Sequence, residues 1–197
     1  MQFQPFEDGI EVNGQTVYAI VDGLGAFQSL AKRHLLAQGI GEESDDQLVI
    51  KASAWYPQAA WLKAFESIAT AIGDGTLFKI GEAIPRNAQF PPSVTDIRSA
   101  VASVDVAYHL NHRKDGKVLF DEATGQMSEG IGHYGYEAAE GRNEILSTCT
   151  NPYPCAFDRG ILTSMARRFE RGAKIVHAEG GICRNNGGAS CTYIISW

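Results

Sequence analysis

The sequence predicts an α+β domain: N-terminal helices, a β-meander, one inserted helix and a C-terminal hairpin, with about five antiparallel strands covered by helices on one face. Three observations carry this reading. Apolar residues recur at helical spacing as far as Val104. The period turns to alternating at Asp105. The chain closes on two β-prone segments around a polar, glycine-bearing stretch, from His177 to Trp197. A length of 197 residues fits one domain, 1–197, large enough to bury a hydrophobic core.

Asn13-Gly14 lies between Ile10–Val12 and Val17–Ile20 and predicts a short hairpin. From Ala26 to Gln38, Phe27, Leu30, Ala31 and Leu35 fall on one helical face, and Gly39 is the expected cap. The acidic run Glu42–Asp46 reads as a solvated loop. Trp61, Phe65, Ile68 and Ile72 share one face of a helix that starts at Pro57 and exits at Gly73. Asp74 is placed to cap a shorter helix through Leu77, Ile80 and Ile84; Pro85 and Pro91-Pro92 then predict an irregular link. A further helix spans Val94–Val104. The strands expected next are Val106–His112, Val118–Phe120 after a turn at Lys114–Lys117, a glycine-rich Met127–Tyr136, and Asn143–Cys149. Asp158 reads as the cap of a helix carrying Leu162, Met165, Ala166 and Phe169, closed by Gly172. Ile175–His177 and Tyr193–Trp197 form the last hairpin.

The charge balance narrows the partners. A net charge of -6 argues against nucleic acid, because phosphate contacts need basic clusters. Arg167, Arg168 and Arg171 lie at a predicted helix end, where cations offset the helix dipole. No apolar run approaches the roughly 20 residues of a membrane span. The N-terminus lacks the basic start and apolar stretch of a signal peptide. Four cysteines without a secretory signal therefore predict a cytoplasmic protein with reduced thiols.

Cys183 and Cys191 flank the final turn, and Cys155 opens the preceding helix. Three thiols on adjacent elements leave three readings open: packed free thiols, a disulfide, or ligands of a structural zinc. Seven residues separate Cys183 from Cys191, more than the spacing usual in zinc fingers. His177 and Glu179 share one strand face and either could complete a tetrahedron. Cys149 lies on a predicted strand and reads as a core residue.

The run Pro152-Tyr153-Pro154-Cys155-Ala156-Phe157-Asp158-Arg159-Gly160, with Cys183-x7-Cys191-Thr192-Tyr193-Ile194 after it, resembles the 4-vinyl reductase-type domain. That family belongs with haem nitric-oxide-binding domains, TRAPP-type trafficking subunits and the phenol-sensing domains of bacterial transcription activators. The resemblance is clearest over residues 150–197. It is weaker at Trp55-Tyr56-Pro57, which is similar to a myxobacterial family of the same fold. It implies a pocket between helices and sheet for a small organic molecule. It also implies a zinc held, as in the phenol sensors, by three cysteines and a glutamate. The cysteines map to Cys155, Cys183 and Cys191. The glutamate maps to Glu179 only with a one-residue shift, since Gly180 occupies the matching position. No Tyr-x-Ser-x-Arg run like that of the haem-binding relatives is present, so this reading expects no haem.

Tyr108-His109-Leu110-Asn111-His112-Arg113 and Gly130-Ile131-Gly132-His133-Tyr134-Gly135-Tyr136 form the second cluster. On strands, His109, Asn111 and Arg113 would face one way and Tyr108, Leu110 and His112 the other. A dry pocket with a few polar groups is how small organic ligands are held, so His109, His112, His133, Tyr134, Tyr136 and Trp61 are the ligand-binding candidates. Plain cover of a half-exposed sheet, or a three-histidine metal site, would use the same side chains. The leading reading is a sensor-like module with a structural zinc, homodimeric through its helical face. A small enzyme would instead use His109, His112 and His133 as acid or base. A scaffolding or trafficking-type subunit would have no ligand at all.

Overall fold

The computed structural model describes residues 2–87, 90–178 and 183–197, the side chain of Asn87 excepted. Strand β1 (Ile10–Asn13) leads directly into α1 (Gly14–Gly23). Asn13 is extended and its Oδ1 accepts the Gln15 N–H at 2.7 Å, so the Asn-Gly pair marks a helix start and not the expected hairpin. Gly14 is needed there, because a Cβ would lie 2.2 Å from the Lys51 carbonyl oxygen. A 3-10 turn at Gly25–Phe27 runs into α2 (Gln28–Ala37), which buries Ala31 and Leu35 as the spacing predicts. The acidic run is a small hairpin, β2 (Glu42–Ser44) with β3 (Gln47–Val49), and not an open loop.

Strand β4 (Trp55–Pro57) precedes α3 (Gln58–Asn87). Pro57 therefore ends a strand instead of opening the helix. The helix breaks at Gly73 (φ 71°, ψ 169°), the predicted exit, and then continues with Leu77 and Ile80 buried. Pro85 lies inside it and does not end it.

The largest correction is α4 (Ile97–Leu110). It starts from a capping box between Asp96 and Ser99 and runs on through most of the expected strand Val106–His112. Buried Val101, Val104 and Tyr108 fall at helical spacing on its inner face. Only β5 (His112–Lys114) is extended. It returns through Asp115 and Gly116 (φ 51° and 77°) to β6 (Lys117–Val118), the turn the sequence places. A short ribbon follows, β7 (Phe120–Asp121) with β8 (Gln126–Met127), then β9 (Glu137–Ala138) and β10 (Glu144–Cys149). The expected strand Met127–Tyr136 is mostly irregular, held to β10 by a bridge between Tyr134 and Cys149.

Helix α5 (Cys155–Arg167), strand β11 (Lys174–His177) and strand β12 (Cys191–Ser196) complete the chain. Asp158 is not the cap of α5. That helix begins after Pro154, and Asp158 lies buried in its first turn.

The class is α+β, as predicted. Among the described residues, however, the strands are divided between two four-stranded antiparallel sheets, β4-β1-β5-β6 and β11-β12-β10-β9, and two ribbons, instead of forming one sheet. Helices α3 and α5 approach so closely that a Cβ on Gly160 would lie 2.1 Å from the Phe78 carbonyl, and one on Gly81 2.2 Å from the Phe157 carbonyl. Around that contact Trp61 stacks on Phe65 at 5.1 Å and Phe157 meets Phe65 edge-on at 5.3 Å. Each fully buried side chain of this kind contributes roughly 1.5–3 kcal/mol.

Candidate functional site

A cleft of about 330 Å³ opens between α1, the end of α3, α4 and α5. Ile20, Phe90, Ala107, Leu110, Phe157 and Met165 give it apolar walls; Tyr108, His112, Tyr134 and Tyr153 supply the buried polar groups. Its size is at the lower end of pockets that hold small organic ligands. Phe90 lines it, and the exposed Arg168 guanidinium lies 4.5 Å from the centre of the Phe90 ring.

His112 is the chemically distinctive group of the cleft. Its Nδ1 is 2.8 Å from the Tyr108 carbonyl, which can only accept, so Nδ1 carries the proton. Nε2 is then a bare lone pair that meets the Tyr153 hydroxyl at 3.2 Å. The same hydroxyl accepts from Trp61 Nε1 at 3.2 Å. Burial holds the His112 ring down to about 4, so it is neutral at ordinary pH.

Behind the cleft runs a buried polar network. The Tyr134 hydroxyl donates to Asp158 Oδ1 at 2.6 Å, and Asn151 Nδ2 donates to Oδ2 at 3.2 Å. Arg184, fully buried, donates to Asp158, to Asn151 Oδ1 at 2.7 Å and to the Tyr153 carbonyl at 2.9 Å. Burial pulls the Arg184 guanidinium down, but the Asp158 carboxylate outweighs it and holds the arginine above its ordinary range. Burial pushes the Asp158 carboxyl up; surrounded only by donors, it serves as the ionised acceptor of the pair.

The thiols converge at the other side of Arg184. The Sγ atoms of Cys155, Cys183 and Cys191 all lie within 4.8 Å of one another. Cys155 is 3.0 Å from Cys191, and the Arg184 backbone N–H donates to Cys191 at 3.4 Å. Donation from Cys155 brings the Cys191 thiol well down and raises Cys155 in turn. Glu179, the expected fourth ligand, lies outside the described residues. His177 stacks on Tyr193 at 5.0 Å and is not part of the cluster. Cys149 is buried, as expected.

The expected ligand-binding residues do not come together in one place. His112 and Tyr134 line the cleft. Trp61 is buried and does not line it but donates to Tyr153, which does, and Tyr136 is exposed. His109 and His133 lie elsewhere, beside Asp105. His133 Nδ1 is 2.9 Å from Asp105 Oδ2 and its Nε2 3.1 Å from Glu129 Oε2. Burial opposes a charge on His133, but both carboxylates outweigh it and lift the ring above its usual value. Sequence reasoning missed Asp105, Tyr153 in its polar role, and Arg184. The available signal was spacing: Asp105 with His109, and Tyr108 with His112, are each four apart, one helical turn.

No family model matches the sequence, and no curated protein matches it. Solved structures do match in fold. An H-NOX protein from S. oneidensis in the Fe(II) ligation state superposes with a TM-score of 0.62 at 16% identity, covering 93% of this chain and 95% of that one. A structure probing haem distortion in the H-NOX family gives 0.63 at 12% identity, covering 94% of each chain. An oxygen-binding H-NOX domain related to soluble guanylate cyclases, in its oxygen complex, gives 0.61 at 12%, covering 93% of this chain and 94% of that one. At these identities the likeness establishes the fold. It also corrects the expectation that haem has no place here, since the proteins sharing this fold over nearly their whole length are described by their iron and their haem.

Proposed function

We propose that the chain is a sensor-like domain whose cleft binds a flat, largely apolar ligand, with haem as the leading candidate. The observation that carries the reading is His112: a neutral imidazole, buried in an apolar cleft, with Nδ1–H committed to the Tyr108 carbonyl and a lone pair on Nε2. That is the tautomer a metal-ligating histidine needs, oriented by the partner such residues usually have. The donor set therefore fits the group. His112 would hold the iron, the aromatic and aliphatic walls would cover the macrocycle, and Arg168 beside Phe90 would meet an acidic side group at the mouth. Bound haem would supply an iron able to take a diatomic gas. The Tyr153 hydroxyl, now on Nε2, would give way to the ligand and remain held by Trp61.

Titration of the purified chain with haem tests this. A stoichiometric shift of the main haem absorption band, lost in His112→Ala, is the expected result. If haem leaves the spectrum unchanged while a small phenol raises the melting temperature, the cleft belongs to an organic ligand of the phenol-sensor kind. If neither has any effect, the pocket reading fails.

The same reading gives Cys155, Cys183 and Cys191 a structural zinc. Thiolates on a tetrahedral zinc sit roughly 3.8 Å apart, which this cluster can reach with small adjustments. The triad also supports kinship with the 4-vinyl reductase-type family. Reduced thiols belong to a cytoplasmic protein, and exposed Tyr18 on α1 and Phe27 in the turn after it suit a homodimer. Metal analysis should find thiol-bound zinc, so that the zinc content falls by about one equivalent per chain in Cys183→Ser, and sedimentation should give twice the chain mass.

A further inference from the structure

We propose that Asp105, His109 and His133 form a second metal site, for a divalent transition ion of the zinc class, between α4 and the loop that leads to Tyr134. It is separate from the cleft and from the thiols and depends on neither. One ligand atom from each of the three residues lies within 4.8 Å of the other two. Two imidazoles and one carboxylate are a donor set that first-row ions of this class accept, and three protein ligands leave a fourth position open. Glu129, whose carboxylate already touches His133 at 3.1 Å, or a water can fill it.

The surroundings fit a ligating site better than a plain ion pair. His109 is fully buried, and its Nε2 has no hydrogen-bond partner among the described residues, a costly state for a polar atom. Its Nδ1 is held by the Asp105 carbonyl at 2.8 Å. Asp105 Oδ1 accepts the Tyr134 N–H at 2.9 Å, and the Thr150 hydroxyl accepts the His133 N–H at 2.8 Å. These outer contacts fix ligand orientation in the way that metal sites require. Asp105 and His133 keep partial exposure, so an ion has a way in. The His109 and His133 rings lie 4.9 Å apart at 31°, side by side. His112, which a three-histidine reading would include, lines the cleft and meets Tyr108 and Tyr153 there, so it takes no part.

Metal binding here would replace the hydrogen bond between Asp105 and His133 with two bonds to one ion. It would tie the loop before Tyr134 to α4 and so stiffen one wall of the cleft.

The experiment uses the full chain, stripped with a chelator and titrated with zinc by calorimetry and with cobalt by absorption. Thiolate-bound cobalt shows intense sulfur charge-transfer bands, whereas a site of imidazole and carboxylate shows only weak ligand-field bands. The expected result is a class of ion lacking the sulfur bands. In His133→Ala and in Asp105→Asn its affinity should fall by more than about 100-fold, beyond the loss expected for an outer contact. Both side chains are partly exposed, and Asp105→Asn keeps an acceptor for the Tyr134 N–H, so at least one variant folds. Any sulfur bands should be unchanged in both. If the wild type binds no ion outside the thiols, or if both variants bind it as the wild type does, the proposal is overturned.

Discussion

At the scale of single residues, His112 shows what dry surroundings do to an ionisable ring. The unfolded chain takes up its proton near the ordinary value of 6.5, the folded chain only near 4. Between those values the unfolded state binds more protons, so this ring removes stability as pH falls through the window. The full loss is about 3 kcal/mol, reached below the folded value. His133 works the other way, because its raised value favours the folded state as pH falls, and a wild-type pH profile mixes the two. The comparison that isolates His112 is with His112→Gln. Urea unfolding at about pH 7.5 and about pH 4.5 should show the wild type losing roughly 2 kcal/mol more than the variant. Equal losses would mean that the ring is charged or solvated in the folded protein.

Contacts between helices decide the behaviour of whole elements. The crossing of α3 and α5 rests on two glycines that face carbonyls of the opposite helix. Gly160→Ala drives a Cβ to 2.1 Å from the Phe78 carbonyl, and backbone cannot yield as a side-chain tip can. The expected cost is about 3 kcal/mol in chemical unfolding. Gly81→Ala should cost a similar amount. The double variant should cost less than the sum, since once the helices part both clashes are relieved. A milder test applies to α4. Asp96→Ala removes the carboxylate that accepts the Ser99 N–H at 2.7 Å and should cost about 1 kcal/mol. These elements also show where local pattern informs and where it fails. The α3 face of Trp61, Phe65 and Ile68 and the break at Gly73 were legible because a helix is specified by neighbours three and four apart. The end of α4 was not. Val106 to His112 alternates weakly between apolar and polar, and the stronger signal, Val104 with Tyr108, begins before Asp105, where that alternation sets in. Strand β1 pairs with Trp55–Pro57 and with His112–Lys114, partners too distant for any local window, whereas Asn13-Gly14 points only to the segment next to it.

For the whole molecule, Arg184 joins the thiol corner to the ligand cleft. Its backbone holds Cys191, and its guanidinium holds Asp158, Asn151 and the Tyr153 carbonyl; Asp158 in turn takes the Tyr134 hydroxyl. The cysteine triad could be read from the sequence because one ribbon and the helix before it place all three thiols. A lone arginine in a polar turn carries no such signal and reads as solvated, although its side chain is fully buried. Replacing it strands the Asp158 carboxylate in a dry interior with only Tyr134 and Asn151 as donors. Arg184→Met should therefore destabilise the fold by about 3 to 5 kcal/mol. For a chain of this length that lowers the melting temperature by roughly 10 °C. Asp158→Asn added to Arg184→Met removes the stranded charge and keeps an acceptor for the Tyr134 hydroxyl, so the double variant should recover part of the loss. A double variant as unstable as the sum of the two single changes would show that the pair acts through packing alone. Near-ultraviolet dichroism provides the second readout. Tyr134 and Tyr153 are anchored by the pair, so the aromatic signal should weaken in Arg184→Met while the far-ultraviolet helical signal holds. A change confined to the thiol corner would leave the tyrosines as they are, and the two sites would then be neighbours without being coupled.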